Sequence, residues 1–425
     1  MIICRNCKSN KLKKVITVGS QPLSGIFYRN KKFNLKNYSL DLFKCSNCKL
    51  IQLYKSAKSH QMFGETYEYR TSLSNLMISH IKNKIKYLKK KSLIKHNSSI
   101  LDIGSNDGTF LNNLNKSMQL VGIDPSAEKF KHLYKKNIIF CSNFFSKKNI
   151  ESFLKNKIGK KIEFDLITSF AMFYDVDDPN AFCQDIYQLL KKNGVWVLEL
   201  SYLPLMLKNL TYDQICHEHL TYYDLTVFKK IIEKHNLKII DVSLNEINGG
   251  SIEIMCAKKD SKFKTNKKKI SKFLKDEMKI TEKSYKNFNN RINKIKELVQ
   301  MFLNLNAKKK VIGYGASTKG NIVLNHCQIK NNQIKEICDG SSKKVSRYTP
   351  GSNIKIISKE KMRKLKPDYL FVLIWSFRKE VIKQEEKYIK NGGKLIFHLP
   401  MFHIVDKDNY KDYLKSDFKS FAFQF

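Results

Sequence analysis

Between residues 98 and 258, short apolar runs that read as buried strands alternate with helical stretches, and this alternation constrains the fold most. The runs fall at 99–103, 120–124, 137–140, 164–169 and 195–200, with a helical pattern over 180–190. Strands this short pair in parallel only through helical crossovers, so the segment predicts a parallel sheet wound with helices. A hairpin over 237–246 and 251–257, turning at Asn248-Gly249-Gly250, finishes it. A second alternating unit begins at Lys309, with strands at 311–314, 334–339, 369–374 and 394–398. Between the two lies a lysine-rich helical connector, 261–305, marked by Ile292, Ile295, Leu298, Val299 and Phe302. No solenoid repeat is present, and 425 residues at 42% hydrophobic suit two to four domains. We expect four pieces: 1–60, 61–260, 261–308 and 309–425.

Composition excludes several classes. A charged fraction of 28% with 12% aromatics is that of a folded chain rather than a disordered one. No apolar run approaches the ~20 residues of a membrane-spanning helix, and residues 369–375 form the longest good candidate. The first residues carry a Cys-x-x-Cys pair where a secretory signal would be apolar, so a cytoplasmic location is expected. The net charge of +41 would attract a phosphate backbone, but nearly all of it is lysine. Arginine, the residue of bidentate nucleic-acid contacts, occurs only at positions 5, 29, 70, 291, 347, 363 and 378. Lysine runs such as 89–91 and 267–269 read as solvated helix faces, and a nucleic-acid partner is not expected.

Cys4-x-x-Cys7 and Cys45-x-x-Cys48 have chelating spacing. Two such turns complete a tetrahedral zinc shell, and a reducing compartment favours metal over disulfides. With four protein ligands no coordination position stays open, so the zinc is expected to be structural. The other cysteines lack ligand spacing and read as core.

The loop Asp102-Ile103-Gly104-Ser105-Asn106-Asp107-Gly108 follows the first strand and precedes a helix at 109–114. Its glycines let the backbone pass close beneath a ligand. Twenty residues past Gly104, Asp124 ends the second strand, where an acid can accept ribose hydroxyls. A dinucleotide site would want a compact Gly-x-Gly-x-x-Gly, and a plain packing turn would need no acid. The acid before the first glycine favours S-adenosylmethionine, with Asp102, Gly104, Asn106, Gly108 and Asp124 as its binding residues.

The sequence Tyr212-Asp213-Gln214-Ile215-Cys216-His217-Glu218-His219 follows the fifth strand, so it overhangs the ligand crevice of such a sheet. The protease spacing His-Glu-x-x-His is absent. Acid–base work is the favoured reading, with structural and metal-binding roles as the alternatives.

Together these motifs resemble the nucleotide-sugar C-methyltransferases, which methylate C3 of TDP-linked 4-keto-2,6-dideoxyhexoses. The likeness covers nearly the whole chain. Beyond the cysteines, the 102–108 loop and His217-Glu218-His219-Leu220, it includes Tyr67-Glu68-Tyr69-Arg70-Thr71-Ser72 and Gly249-Gly250-Ser251. In the last unit it includes Gly313-Tyr314-Gly315-Ala316-Ser317-Thr318-Lys319-Gly320, Pro350-Gly351 and Trp375. The chain departs from the commoner pattern at Cys216, where a tyrosine is usual, and over 169–175, where an Asn-containing segment ending in His is usual.

The resemblance implies an α/β protein. It would have a class I methyltransferase Rossmann-like core, a small N-terminal zinc-binding domain and a second Rossmann-like α/β domain at the C-terminus. It implies S-adenosylmethionine and structural Zn2+ as cofactors and a nucleotide sugar as substrate. The base would be His219, with Glu218 orienting it or shuttling protons, His217 in reserve, and Tyr67 and Tyr69 at the ketone. Gly315, Ala316, Ser317 and Lys319 would cradle the pyrophosphate and Asp339 meet a ribose, although a glycine turn used only for packing is the alternative there. O-methylation of another small keto or hydroxy substrate, and an RNA-binding or RNA-modifying role, are the competing functions. The oligomeric state stays open, a homo-oligomer included.

Overall fold

Three sheets, seen in a computed structural model that describes residues 2–55, 57, 62 and 70–416, organise the chain. The first is antiparallel: β1 (Leu12–Pro22), β2 (Asn37–Cys45) and β3 (Ile51–Leu53), completed by β9 (Thr221–Tyr222) from far along the chain. Ile51 lies opposite Tyr222 and Gln52 opposite Thr221, so the N-terminal sheet borrows the strand that follows the histidine segment.

The second sheet holds β4 (Ser99–Ile103), β5 (Gln119–Ile123), β6 (Ile138–Cys141), β7 (Phe164–Phe170), β8 (Leu190–Ser201), β10 (Leu237–Asn245) and β11 (Ser251–Lys258). Its order is β10-β11-β8-β7-β4-β5-β6. The run from β8 to β6 is parallel, whereas β11 is antiparallel to β8 and β10 to β11. Every residue of β4 is buried, as expected of a central strand covered on both faces. Order and direction are those of the parallel, helix-wound sheet expected of this segment, closed by its antiparallel hairpin.

The third sheet contains β12 (Val311–Tyr314), β13 (Glu336–Asp339), β14 (Lys355–Ser358), β15 (Tyr369–Val372), β16 (Lys394–Phe397) and β17 (His403–Val405), in the order β14-β13-β12-β15-β16-β17. All neighbours are parallel except β17. The edge strands β14 and β17 escape sequence reading, β17 being only three residues long.

The stretch after β11 is two helices rather than one, Lys267–Glu277 and Glu282–Leu305, split at a capping box of Thr281 and Ser284. Glu277 is buried, and its carboxylate accepts from Leu225 N (2.6 Å), Thr226 N (2.9 Å) and the Tyr202 hydroxyl (2.5 Å), tying the first helix to the core. The second helix buries Tyr285, Phe288, Ile292, Ile295, Val299 and Leu303, a three–four spacing that makes one apolar stripe. That stripe joins the side chains of β1–β3 and the third sheet into one continuous core. Removing the Phe288 side chain from it costs about 3–5 kcal/mol. In a Trp196→Phe background, where Trp375 is the reporter, Phe288→Ala should lower the thermal midpoint seen by Trp375 fluorescence. An unchanged midpoint would show that the stripe does not hold the third sheet.

Candidate active site

The four cysteines come together: their Sγ atoms all lie within 4.8 Å of one another, with Cys4–Cys48 at 3.4 Å and Cys7–Cys45 at 3.5 Å. A tetrahedral zinc with Zn–S bonds of about 2.3 Å sets its sulfurs about 3.8 Å apart, so the cluster fits the ion. The hydrogen bond from Cys4 draws the Cys48 thiol down to about 4. This knuckle also supports the core. Arg5 pairs with Asp177 at 2.8 Å, Lys8 with Asp178 at 3.0 Å, and Asn180 donates to the Asn6 carbonyl at 2.9 Å.

Asp177 and Asp178 belong to the wall of a cavity of about 520 Å³ at the carboxyl ends of the second sheet. Asp102, Gly104, Asn106 and Asp124 line it as well. Gly104 (φ 75°) turns the loop, and a Cβ there would stand 3.0 Å from the Met172 side chain. Gly108 (φ 73°) does not line the cavity; it passes under the Tyr134 ring, where a Cβ would come within 2.9 Å. The Asp124 carboxylate accepts from Asn106 N (3.0 Å) and Ser126 N (2.7 Å), which hold it at the β5 tip facing the cavity. Burial raises Asp102 to about 7 despite a 2.7 Å bond from Thr168. A lengthy cavity with an acid at the second strand suits S-adenosylmethionine, whose nucleoside would lie by Asp124 and whose amino-acid part would lie toward β7 and β8.

The opposite end of the cavity carries residues that sequence reading missed. Glu199, near the end of β8, and His80, on the helix Asn75–Lys90, line it. Asp175 does too, from the turn Phe173–Asp175 after β7. Behind that turn stands the histidine loop. Leu220 N and Thr221 Oγ1 both bond the Tyr174 carbonyl, and the His219 ring packs 4.1 Å from the Tyr174 ring. The two histidines differ. His217 is tied to the N-terminal segment, its Nδ1 taking Ser24 N (3.4 Å) while Nε2 donates to the Gln21 carbonyl (3.3 Å). The Gln214 backbone favours a proton on the His219 ring and so works against burial there. Burial, then the Lys319 charge, lower His219 to about 3, and burial lowers His217 to about 4.

Glu218 packs over Gly25, where a Cβ would lie 2.8 Å from its Oε1. Burial raises the carboxyls of Glu218, Asp175 and Asp213, and each has one buried oxygen without a hydrogen-bond partner. Lys319 reaches this group from the third sheet's unit, its Nζ 3.1 Å from Asn248 Oδ1. Burial, opposed by Asp213, Cys216 and Asp175, lowers its pKa. Trp375 Nε1 donates to Asp213 at 2.8 Å and its ring packs on Gly249.

The other residues expected to hold a pyrophosphate are engaged locally. Ser317 caps the helix Thr318–His326, the Ala316 carbonyl accepts from Lys344 at 2.7 Å, and Gly315 (φ 91°) packs on Ile374. Asp339 accepts from Ser341 N at 2.8 Å and stands 3.7 Å from Lys344. Tyr67 and Tyr69 lie outside the described residues.

Three family models tile the chain: "Putative zinc binding domain" over 4–63, "Methyltransferase domain" over 73–242 and "C-methyltransferase C-terminal domain" over 246–400. C-methyltransferase NovU of Streptomyces niveus is 25% identical over 419 residues, which is 96% of this chain and 97% of that one. Magnesium protoporphyrin IX methyltransferase of Synechocystis PCC 6803, solved with bound SAH, aligns at 12% identity over 47% of this chain and 92% of its own (TM-score 0.33). N-methyltransferase NodS of Bradyrhizobium japonicum WM9 aligns at 14% over 44% and 98% (TM-score 0.32). The fold assignment rests on strand order and the family models rather than on these two alignments. No helix among the described residues is long and apolar enough to cross a membrane.

Because the knuckle braces the cavity wall, zinc should matter to the cofactor. Zinc chelation, or Cys48→Ser, should lower the thermal midpoint and weaken S-adenosylmethionine binding about three- to tenfold, the order of one lost polar contact. Calorimetric titration before and after chelation checks it; unchanged affinity would make the knuckle independent of the cavity.

Proposed function

We propose that the chain is an S-adenosylmethionine-dependent C-methyltransferase that methylates C3, the carbon beside the ketone, of a nucleotide-linked 4-keto-deoxysugar through an enolate. The observation that carries this reading is the convergence of His219, Asp175, Glu218, Asp213 and Lys319 behind the turn that lines the cofactor cavity. Three buried acids with unpartnered oxygens are costly to maintain without a polar ligand. A sugar supplies hydroxyls and a ketone for them.

Bound S-adenosylmethionine supplies an electrophilic methyl on a sulfonium. The chain's own groups make the nucleophile. The lone pair on His219 takes the C3 proton, and the electrons move onto the ketone oxygen. An imidazole lowered to about 3 is a weak base in isolation, but the cause of its weakness matters. The Lys319 ammonium that opposes an imidazolium also stabilises an enolate oxygen, and that new negative charge cancels the field on His219. Glu218 and Asp175, which burial favours in their acid forms, then relay the proton from His219, each taking it on one oxygen as the other oxygen releases its own. His217, held between Ser24 and Gln21, positions the loop. The substrate's nucleotide would rest on the third sheet's unit, near Gly315–Lys319 and Asp339. Reduced cysteine thiolates suit a cytoplasmic protein.

Mass spectrometry of TDP-4-keto-2,6-dideoxyglucose incubated with the protein and S-adenosylmethionine should show the gain of one methyl. His219→Ala should cut turnover about 10²–10⁴-fold, the range of a lost general base. It should also slow C3 hydrogen–deuterium exchange measured without cofactor, while S-adenosylmethionine affinity stays unchanged. Full activity in that variant overturns the base. Absence of methylation with cofactor bound overturns this sugar.

Because His219 loses its proton near pH 3, its neutral form persists through the working range. C3 exchange should therefore show no acid limb from this group between about pH 5 and 8. A wild-type limb in that interval that vanishes in His219→Ala would contradict the depressed value.

A further inference from the structure

The last residues of β1 and the turn that follows, Gln21 to Gly25, run between the histidine loop and the helix Thr318–His326, and they are tied to both. On one side the Gln21 carbonyl accepts from His217 Nε2 at 3.3 Å, and the Ser24 hydroxyl lies 3.2 Å from His217 Nδ1. On the other, Asn321 Nδ2 donates to the Ser24 carbonyl at 2.7 Å, and Gln21 Nε2 donates to the Ile322 carbonyl at 3.4 Å. Gln21, Ser24, His217 and Asn321 are all buried, so these bonds face little competition from water. The run ends on Gly25. A Cβ there would lie 2.8 Å from Glu218 Oε1 and 3.5 Å from Thr318 Oγ1. Glu218 belongs to the core and Thr318 to the third sheet's unit, so three parts of the chain meet at a residue without a side chain.

A carbon cannot rest 2.8 Å from a carboxyl oxygen, so any side chain at Gly25 would drive the Glu218 carboxyl from its place. That carboxyl has one oxygen, Oε2, buried without a hydrogen-bond partner. Packing on Gly25 therefore does much of the work of placing it. We propose that the N-terminal sheet supplies a wall of the acid–base site, and that Gly25 is a positioning residue that sets where the Glu218 carboxyl stands. This rests on the part given above to Glu218 in relaying the proton from His219. A relay needs both carboxyl oxygens, one to take a proton and one to release it. A hydrogen bond that held the group in place would occupy one of them, whereas a packing contact fixes the position and leaves Oε2 available. One short segment, 193 residues upstream of His217, thus holds that histidine through hydrogen bonds and Glu218 through the lack of a side chain.

Double-mutant cycles separate this role from a general loss of packing. In methylation of TDP-4-keto-2,6-dideoxyglucose, Gly25→Ala should lower kcat about 10²-fold, the effect of displacing a working group by about 1 Å. KM should change little, and S-adenosylmethionine affinity measured by calorimetry should be unchanged. In a Glu218→Asp background, whose shorter side chain clears the new methyl, adding Gly25→Ala should cost about tenfold less than it does in wild type. Thermal midpoints give a second cycle that needs neither sugar nor cofactor. There Gly25→Ala should destabilise the wild type more than it destabilises Glu218→Ala, in which the methyl meets no carboxyl. Should Gly25→Ala fail to fold alone, the pair with Glu218→Ala should fold. Wild-type turnover in Gly25→Ala overturns the proposal, as does a loss of equal size in the Glu218→Asp background. A wild type that binds the cofactor but leaves this sugar unmethylated defeats the reading of the sugar and not this one. The thermal cycle then decides, and additive midpoints, or failure of the pair to fold, overturn the placement of Glu218 by Gly25.

Discussion

The position of one ammonium governs how the three sheets assemble. Lys319 stands at the start of the helix Thr318–His326, yet its Nζ lies among groups of the methyltransferase core: Asn248, Asp213 and Asp175. Burying an ammonium costs several kcal/mol unless partners surround it, and removing one partner leaves the other charges exposed to the same cost. The third sheet's unit can therefore dock in one place. Trp375 fixes the angle, since its indole N–H reaches Asp213 and its ring occupies the space that a side chain on Gly249 would need. The hairpin tip, the 212–219 loop and the glycine turn of the last unit are consequently a single polar junction.

A second chain of dependence runs from the cysteines to the cofactor. The zinc knuckle fixes Arg5, Asn6 and Lys8, and these hold Asp177, Asp178 and Asn180. Asp178 in turn caps the helix Pro179–Leu189, accepting from Asn180 N and Ala181 N. A metal whose four cysteine ligands would leave no coordination position open thus braces the wall of the cofactor cavity. The same logic explains why β9 pairs with β3: the strand after His219 is clamped to the N-terminal sheet, so the loop is held from both ends.

Much of this was legible because local chemistry dictated it. Buried parallel strands carry short apolar runs, so the cores of β4, β7 and β8 announce themselves, and two Cys-x-x-Cys turns have few other uses. The glycine turn and Asp124 were readable from spacing. What stayed hidden depends on contacts between residues far apart in sequence. Nothing near Lys84 marks it as buried, because its partners, Glu199 and Glu253, lie 115 and 169 residues away. The glycine turn at 313–320 is legible as a phosphate cradle, whereas the direction of Lys319 toward the core comes only from tertiary packing. Asp175 was read only as a departure from a family pattern. Its position on the partition between cavity and histidine loop follows from the turn after β7.

The two buried charge groups have opposite excess, and this bears on how a methyl could cross between them. On the cavity side, Glu199 and Glu253 outnumber Lys84, so the field there favours a cation. Behind the partition, burial keeps the acids in their neutral forms more readily, and Lys319 gives that side a field favouring an anion. An enolate and a sulfonium brought into direct contact between these two groups would each face the field that stabilises it. Methyl transfer removes both charges at once. The products are then neutral groups in fields built for ions, so the arrangement that favours the reactants' charges also weakens the hold on what the reaction leaves behind.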